Sequence, residues 1–230
     1  MRVLGIETAS IVCAAAVVED GRVLQESFLE QQHVHSEMLM KQIDEVLSAT
    51  RVPLETLAGI AVSIGPGSFT GLRIGLGVAK GLSWATGKPL VAVSTLRAVA
   101  RRAVDFGAVP IPGLLLAALD ARRGEVYCQL FEVNTPGLLP VWDEQAMSLS
   151  SLFDEIRDRQ VTVTGDSSAV RALVEQRKGL RHLPADIARC SAATVALEGE
   201  LELRGGNVVA LADIEPRYVM EFHPKSGMIT

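Results

Sequence analysis

Residues 65–81 read GPGSFTGLRIGLGVAKG, six glycines in seventeen residues, with Arg73 and Lys80 among them. A glycine-rich turn leading into a basic helix is the usual form of a phosphate cradle. Neither common cradle fits. A P-loop needs G-x-x-x-x-G-K-[ST], and Lys80 falls too far along the helix. A dinucleotide fingerprint needs G-x-G-x-x-G; Gly65, Gly67 and Gly71 are one residue too widely spaced, and Pro66 and Phe69 stand where backbone must approach pyrophosphate. The spacing instead predicts a tight turn and then a helix, capped by Ser68 or Thr70. Gly71 and Gly75 are four apart, as are Gly77 and Gly81, and residues four apart share a helix face. Each interior glycine costs a helix about 1 kcal/mol against alanine. Repeating that cost implies a neighbour close to the backbone: the chain's own sheet, a helix of another chain, or a ligand.

Outward from this stretch, the pattern is α/β. Residues 2–8, 12–19 and 23–30 read as an antiparallel meander with an Asp20-Gly21 turn, and 35–50 as an amphipathic helix capped by Ser36. Strands at 57–65 and 89–94 alternate with the glycine helix and a helix at 95–104. A Gly/Pro-rich break at 105–113 separates an N-terminal lobe, 1–106, from a smaller one, 107–230. The second lobe again opens with a strand hairpin, 114–121 and 126–133, followed by a loop, NTPGLLP, then helix, strand, two helices and a surface tail. Two lobes with the same opening suggest a duplication whose second copy is degenerate.

Composition bounds the function. Hydrophobic residues make up 48% of 230 residues and aromatics only 4%, so small aliphatic side chains must fill the core. The net charge is −5, and the basic pairs Arg101-Arg102 and Arg122-Arg123 are flanked by acidic residues. Any nucleic acid is therefore expected to be gripped mainly by another subunit. Cys13, Cys128 and Cys190 are too scattered for a disulfide framework or a zinc site. The apolar start meets Glu7 too early for a signal peptide, and no run is long enough to span a membrane, so a soluble cytoplasmic protein is expected. His33, His35, His182 and His223 form no H-x-x-x-H, and no G-x-S-x-G elbow occurs.

Two turns hold carboxylates. GIETAS places Glu7 and Thr8 at the first hairpin, and LDARRGE places Asp120 and Gly124 at the second. Such hairpins contact ATP phosphates and magnesium in actin-like ATPases; ordinary strand-end carboxylates explain them equally well. GGN at 205–207 resembles an adenine clamp but has no long helix to carry it.

Together VLGIETA, SIGPGSFTGLRIGLGVAKGL and LDARRGEVY resemble the bacterial TsaB (YeaZ) family across about the first 130 residues, with IEPRYV similar to its closing motif. The resemblance implies an actin-like, sugar-kinase type (ribonuclease H-like) fold. It implies a non-catalytic subunit for threonylcarbamoyladenosine synthesis in tRNA, which binds and activates TsaD and helps recruit the ATPase TsaE. The H-x-x-x-H metal pair of TsaD falls at Thr95 and Val99, neither a metal ligand. No cofactor is expected to be held tightly by this chain alone; ATP or ADP would sit at the junction of the complex, and tRNA would be bound mainly through it. The implied partner surface, for TsaD or for a second copy, comprises Met38, Leu39, Ile43, Gly71, Arg73, Ile74 and Gly75. The rival readings are a stand-alone ATP-dependent phosphotransferase using Glu7 and Asp120, and a peptidase, for which no zinc or nucleophile constellation exists.

Overall fold

The computed structural model describes residues 1–121, 124–135 and 137–219; Arg122, Arg123 and His223 lie outside them. β1 (Arg2–Glu7), β2 (Val12–Glu19) and β3 (Arg22–Glu30) form the expected meander. Asp20 and Gly21 turn between β2 and β3 with φ of +47° and +75°, which Asp and Gly tolerate. β4 (Gly59–Gly65) runs parallel to β1, and β5 (Leu90–Ser94) parallel to β4, giving the order β3-β2-β1-β4-β5. α1 (His35–Thr50), α2 (Phe69–Thr86) and α3 (Thr95–Asp105) complete this half. Ser36 does not cap α1. The helix spans His35–Thr50 as expected, so Ser36 lies inside its first turn; Val34 precedes it without a side-chain cap, and His35 Nε2 lies 3.1 Å from the Ser10 carbonyl.

The second sheet holds β6 (Gly113–Asp120), β7 (Glu125–Asn134), β8 (Gly137–Pro140), β9 (Gln145–Ser148), β10 (Val161–Thr164) and β11 (Leu180–His182). Its order is β11-β10-β6-β7-β8, with β9 also on β7. Read from its other edge, it repeats the first sheet: a hairpin, a third antiparallel strand, then two parallel strands. The short helices α4 (Leu149–Glu155) and α5 (Ser168–Val174) occupy the places of α1 and α2. NTPGLLP, expected as a loop, supplies β8, the counterpart of β3, pairing Val133 with Leu138 and Phe131 with Pro140. Four residues carry too little alternation to announce a strand; the edge of β7 creates it. β9, β11 and α6 (Ala185–Ala188) escape sequence reading for the same reason.

The closing helix α7 (Ala192–Arg204) crosses back to lie on β1, β2 and β4. Residues 192–219 thus pack on the first sheet rather than on the second, although they fall in the stretch expected to form the C-terminal lobe. Gly5 and Gly199 permit this approach: a Cβ on Gly5 would strike the Ala192 carbonyl, and one on Gly199 would strike Ala61. Between the sheets, Val12, Leu96 and Val99 meet Leu115, Leu119 and Phe131 in one continuous core.

Charged groups bolt these elements together. Arg101, expected in a basic pair with Arg102, is instead engaged internally: it pairs with Asp105 and Glu198, and Arg102 donates to the Asp186 carbonyl at 3.0 Å. Glu198 of α7 is 2% exposed and receives Arg97 Nε at 2.7 Å and Arg101 Nη1 at 3.1 Å. Glu198→Ala leaves Arg97 without its carboxylate and Arg101 with Asp105 alone. Breaking a buried pair typically costs 3–5 kcal/mol, and water reaching the half-exposed arginines reduces this to about 2–3 kcal/mol. Urea unfolding is expected to show the loss as a lower midpoint at unchanged slope.

Candidate functional site

The two sheets present the same construction at facing strand ends. The middle strand of each ends on a carboxylate, Glu7 on β1 and Asp120 on β6. The parallel strand beside it runs into a glycine with positive φ, Gly65 at +119° and Gly165 at +111°, which only glycine adopts readily. A serine then caps the next helix: Ser68 accepts from Gly71 N, and Ser167 from Val170 N. Sequence reading found Glu7, Thr8, Asp120 and Gly124 but missed Asp166. Its signal is TGDSS, whose Gly165 and Ser167 correspond to Gly65 and Ser68.

The carboxylates share one electrostatic environment. Glu7 is buried; its Oε1 accepts from Ala9 N at 2.5 Å and its Oε2 has no hydrogen-bond partner. Burial pushes its pKa up to about 7, and the nearby Asp166 charge adds to the shift. Burial, and then Asp120, raise Asp166 to about 6. Asp120 is exposed and accepts from Ser167 Oγ at 2.5 Å and Ser168 Oγ at 3.3 Å. Gly124 sits in an open turn at φ +77°. Thr8 does not reach the cleft surface: it is fully buried, packed beneath α2 with its hydroxyl unpartnered. Among the described residues, no group of three or more His, Cys, Asp or Glu is placed to hold a metal ion.

A raised carboxylate pKa has a definite consequence for stability. The folded state holds the Glu7 proton more tightly than the unfolded chain, so stability falls as pH rises from about 4.5 to about 7 and the full cost persists above that. At 1.36 kcal/mol per pH unit the cost is about 3 kcal/mol. Glu7→Gln is expected to stabilise the protein by about 2–3 kcal/mol at pH 8 and to change little at pH 4. Denaturant melts across that range measure it; equal effects at both ends would contradict the assignment.

The glycine stretch is occupied by its own chain. Ser68 N donates to the Ala9 carbonyl at 2.6 Å, and Arg217 N donates to the Ile64 carbonyl at 2.7 Å. A Cβ on Gly67 would strike Ala9. Tyr218 stacks on Phe69 at 5.1 Å and accepts from Arg73 Nε at 3.0 Å, while Arg73 also covers the Phe69 ring. The Ser68 amide is therefore spent on the first hairpin, the Gly71 amide on the Ser68 cap, and the strand end before the loop is covered by the tail, which leaves the loop packed against its own chain.

The two glycine pairs of α2 face opposite ways. Gly71 and Gly75 lie inward with Leu72, Leu76, Ala79 and Ser83; a Cβ on either would collide with Thr8. Gly77 and Gly81 lie outward: among the described residues, nothing beyond the helix's own backbone comes within 4 Å of a Cβ at either position. Arg73, Gly77, Gly81 and Trp84 form one exposed stripe, and Trp84 is 81% exposed. Leu39 and Ile43, expected at a partner surface, are 1% exposed and belong to the core beneath α1. Burial thus assigns Leu39, Ile43, Gly71 and Gly75 to the chain's own packing, whereas Arg73 is exposed and Met38 and Ile74 are half-buried. Trp84 was missed because an apolar helix position reads as core.

The remaining expectations have definite places. Thr95 opens α3 and Val99 packs in the core between the sheets; both are buried. GGN at 205–207 closes α7, with Gly206 at φ +77° and Asn207 bonded to Glu202, and Val209 then pairs with Leu90 at the start of β5. That is the end of the strand remote from Glu7, where an adenine clamp serves no cleft. No helix among the described residues is long and apolar enough to cross a membrane.

Comparison with known proteins places this architecture. The family described as "TsaD: tRNA N6-adenosine threonylcarbamoyltransferase" matches residues 22–199. The tRNA threonylcarbamoyladenosine biosynthesis protein TsaB of Escherichia coli is 36% identical over 167 residues, 72% of this chain and 69% of that protein. Its namesake from Bacillus subtilis is 30% identical over 184 residues, covering 79% and 78%. Among solved structures, YeaZ from Pseudomonas aeruginosa superposes with a TM-score of 0.80 at 24% identity, covering 95% of this chain and all of that one. ROK hexokinase from Thermus thermophilus gives 0.52 at 14% identity over 90% of this chain and all of that one. The fold is of the actin-like ATPase and sugar-kinase type, and, through the curated relatives, the chain belongs to the TsaB (YeaZ) family.

Proposed function

We propose that this protein takes part in the synthesis of threonylcarbamoyladenosine in tRNA as a non-catalytic subunit, which binds TsaD, shapes its active site and helps recruit TsaE. The observation that carries the reading is the outward stripe of α2. Glycines at 77 and 81 leave bare backbone beside an exposed Trp84, so a second helix can approach closely and bury an aromatic anchor. Nothing in the packing of the described residues requires those two glycines, and each costs helix stability. The same stripe serves a second copy of the chain when TsaD is absent.

The cleft supports the non-catalytic part. Thr95 and Val99 offer no imidazole where the resemblance places the TsaD metal pair, and the Ser68 and Gly71 amides of the glycine loop already have partners within the chain. A stand-alone phosphotransferase would need Glu7 exposed to a metal, and Glu7 is buried against Ala9 N. Nucleotide, where it binds, is proposed at the junction of the complex. Sedimentation of this protein with purified TsaD tests the assembly: a stable complex that excludes self-association through α2 is the expected result, and independent sedimentation of the two would refute it.

A further inference from the structure

The chain is acidic overall, yet its charges are unevenly placed. Residues 157–182 hold six arginines and lysines against three acidic residues, a net +3 in a chain of net −5. The fold gathers most of these at one end of the second sheet. β10 and β11 run parallel with Val161 opposite Leu180, and Val161 N donates to the Gly179 carbonyl at 3.0 Å. The turns entering both strands therefore lie side by side, and they carry Arg157 and Arg159 on one, Arg177 and Lys178 on the other. Arg181 follows on the outer strand, its guanidinium bonded to the Ala108 carbonyl.

Most of this charge is not neutralised by the chain. Arg157 is paired with Asp154, but Arg159, Arg177, Lys178 and Arg181 join no ion pair among the described residues. Arg177 lies over the Phe153 ring at 4.6 Å, which fixes its position and leaves its charge in place. Beside it opens a pocket lined by Arg171, Glu175, Arg177 and His182, where the buried Nε of Arg171 finds no acceptor. The carboxylates at this end are Asp154, Glu155, Asp158 and Glu175, four against the six cations Arg157, Arg159, Arg171, Arg177, Lys178 and Arg181. Each turn is anchored to a strand, so the charges sit on a fixed frame and not on a floppy tail. The patch lies at the opposite end of β10 from Asp166 and the cleft, and on a different lobe from the α2 stripe.

We infer that the entry turns of β10 and β11, with Arg159, Arg177, Lys178 and Arg181, form a docking surface for the phosphate backbone of the tRNA substrate, outside the reacting centre. The inference rests on the proposed role in tRNA modification, which supplies the identity of the polyanion. Phosphate contacts of this kind position a nucleic acid without reading its sequence. An L-shaped tRNA is long enough to meet both the partner's active site and a remote patch on this subunit.

The test uses the assembled complex with TsaD, TsaE and tRNA. R159E/K178E reverses two exposed charges whose side chains bond to nothing among the described residues; R22E/R51E reverses two exposed arginines of the first lobe as a control. Removing two phosphate contacts is expected to lower the slope of log affinity against log salt by roughly 2. The KM for tRNA is expected to rise about 10-fold at moderate salt with kcat unchanged, and the control is expected to match wild type. An unaltered KM and salt slope in R159E/K178E overturns the inference. So does a loss of binding to vesicles of anionic lipid with no change towards tRNA, which would make the patch a membrane contact. If the wild-type complex retains tRNA through the patch but modifies none of it, the docking surface stands and the proposed function fails.

Discussion

Gly81→Arg is expected to weaken binding to TsaD by about 100-fold or more without unfolding the protein. Gly81 lies on the outward stripe of α2, and among the described residues nothing beyond the helix's own backbone comes within 4 Å of a Cβ, so an arginine there meets no obstacle from them. Replacing an exposed mid-helix glycine gains about 0.8 kcal/mol of helix propensity. The melting temperature is therefore expected to stay constant or to rise by a few degrees. A helix seated against bare backbone at 77 and 81 has no room for a guanidinium, and losing a central contact costs about 3 kcal/mol or more. Calorimetric titration and thermal melting of the same sample separate the two effects. Wild-type affinity in a folded variant would remove α2 from the interface.

Gly75→Leu should do the reverse. A Cβ at 75 would overlap the Thr8 hydroxyl, and Thr8 is fully buried on the turn after β1. β1 is the central strand of the first sheet and α7 packs on it, so the hairpin has nowhere to retreat. Overpacking of this kind costs 1–3 kcal/mol where neighbours can shift, and more than about 3 kcal/mol is expected here. For a chain of this size that lowers the melting temperature by roughly 10 °C. Two glycines of one helix, six residues apart, thus separate binding from folding. A Gly75→Leu protein that melts like wild type would mean that α2 does not lie on Thr8.

Much of this was legible from residue order. The meander, α1 and the alternation around GPGSFTG follow from period and turn chemistry, and the Ser68 cap from its hydroxyl three residues before Gly71. What failed to show has a physical reason in each case. Periodicity reports which face of a helix is apolar, but glycine has no side chain to report; only the fold could send Gly71 and Gly75 inward and Gly77 and Gly81 outward. Leu39 and Trp84 are both apolar helix residues, yet one is core and the other solvent-facing. β8 is a strand because β7 offers it an edge. Asp166 gains its place through a repeat of topology, with Gly165 standing where Gly65 does, that residue identity barely preserves. α7 returns to the first sheet through Gly5 and Gly199, a long-range fit that no local window contains.

The most direct test of the proposed role is reconstitution. TsaD, TsaE, tRNA and the threonylcarbamoyl-adenylate supply are combined with and without this protein, and modified adenosine is measured in the tRNA. Formation that requires this chain, is lost with Gly81→Arg and survives Glu7→Gln is the predicted result, since binding through α2 is needed and the buried carboxylate is not. Modification at the same rate in its absence, or its loss with Glu7→Gln in a folded and bound subunit, would contradict a non-catalytic role exerted through α2.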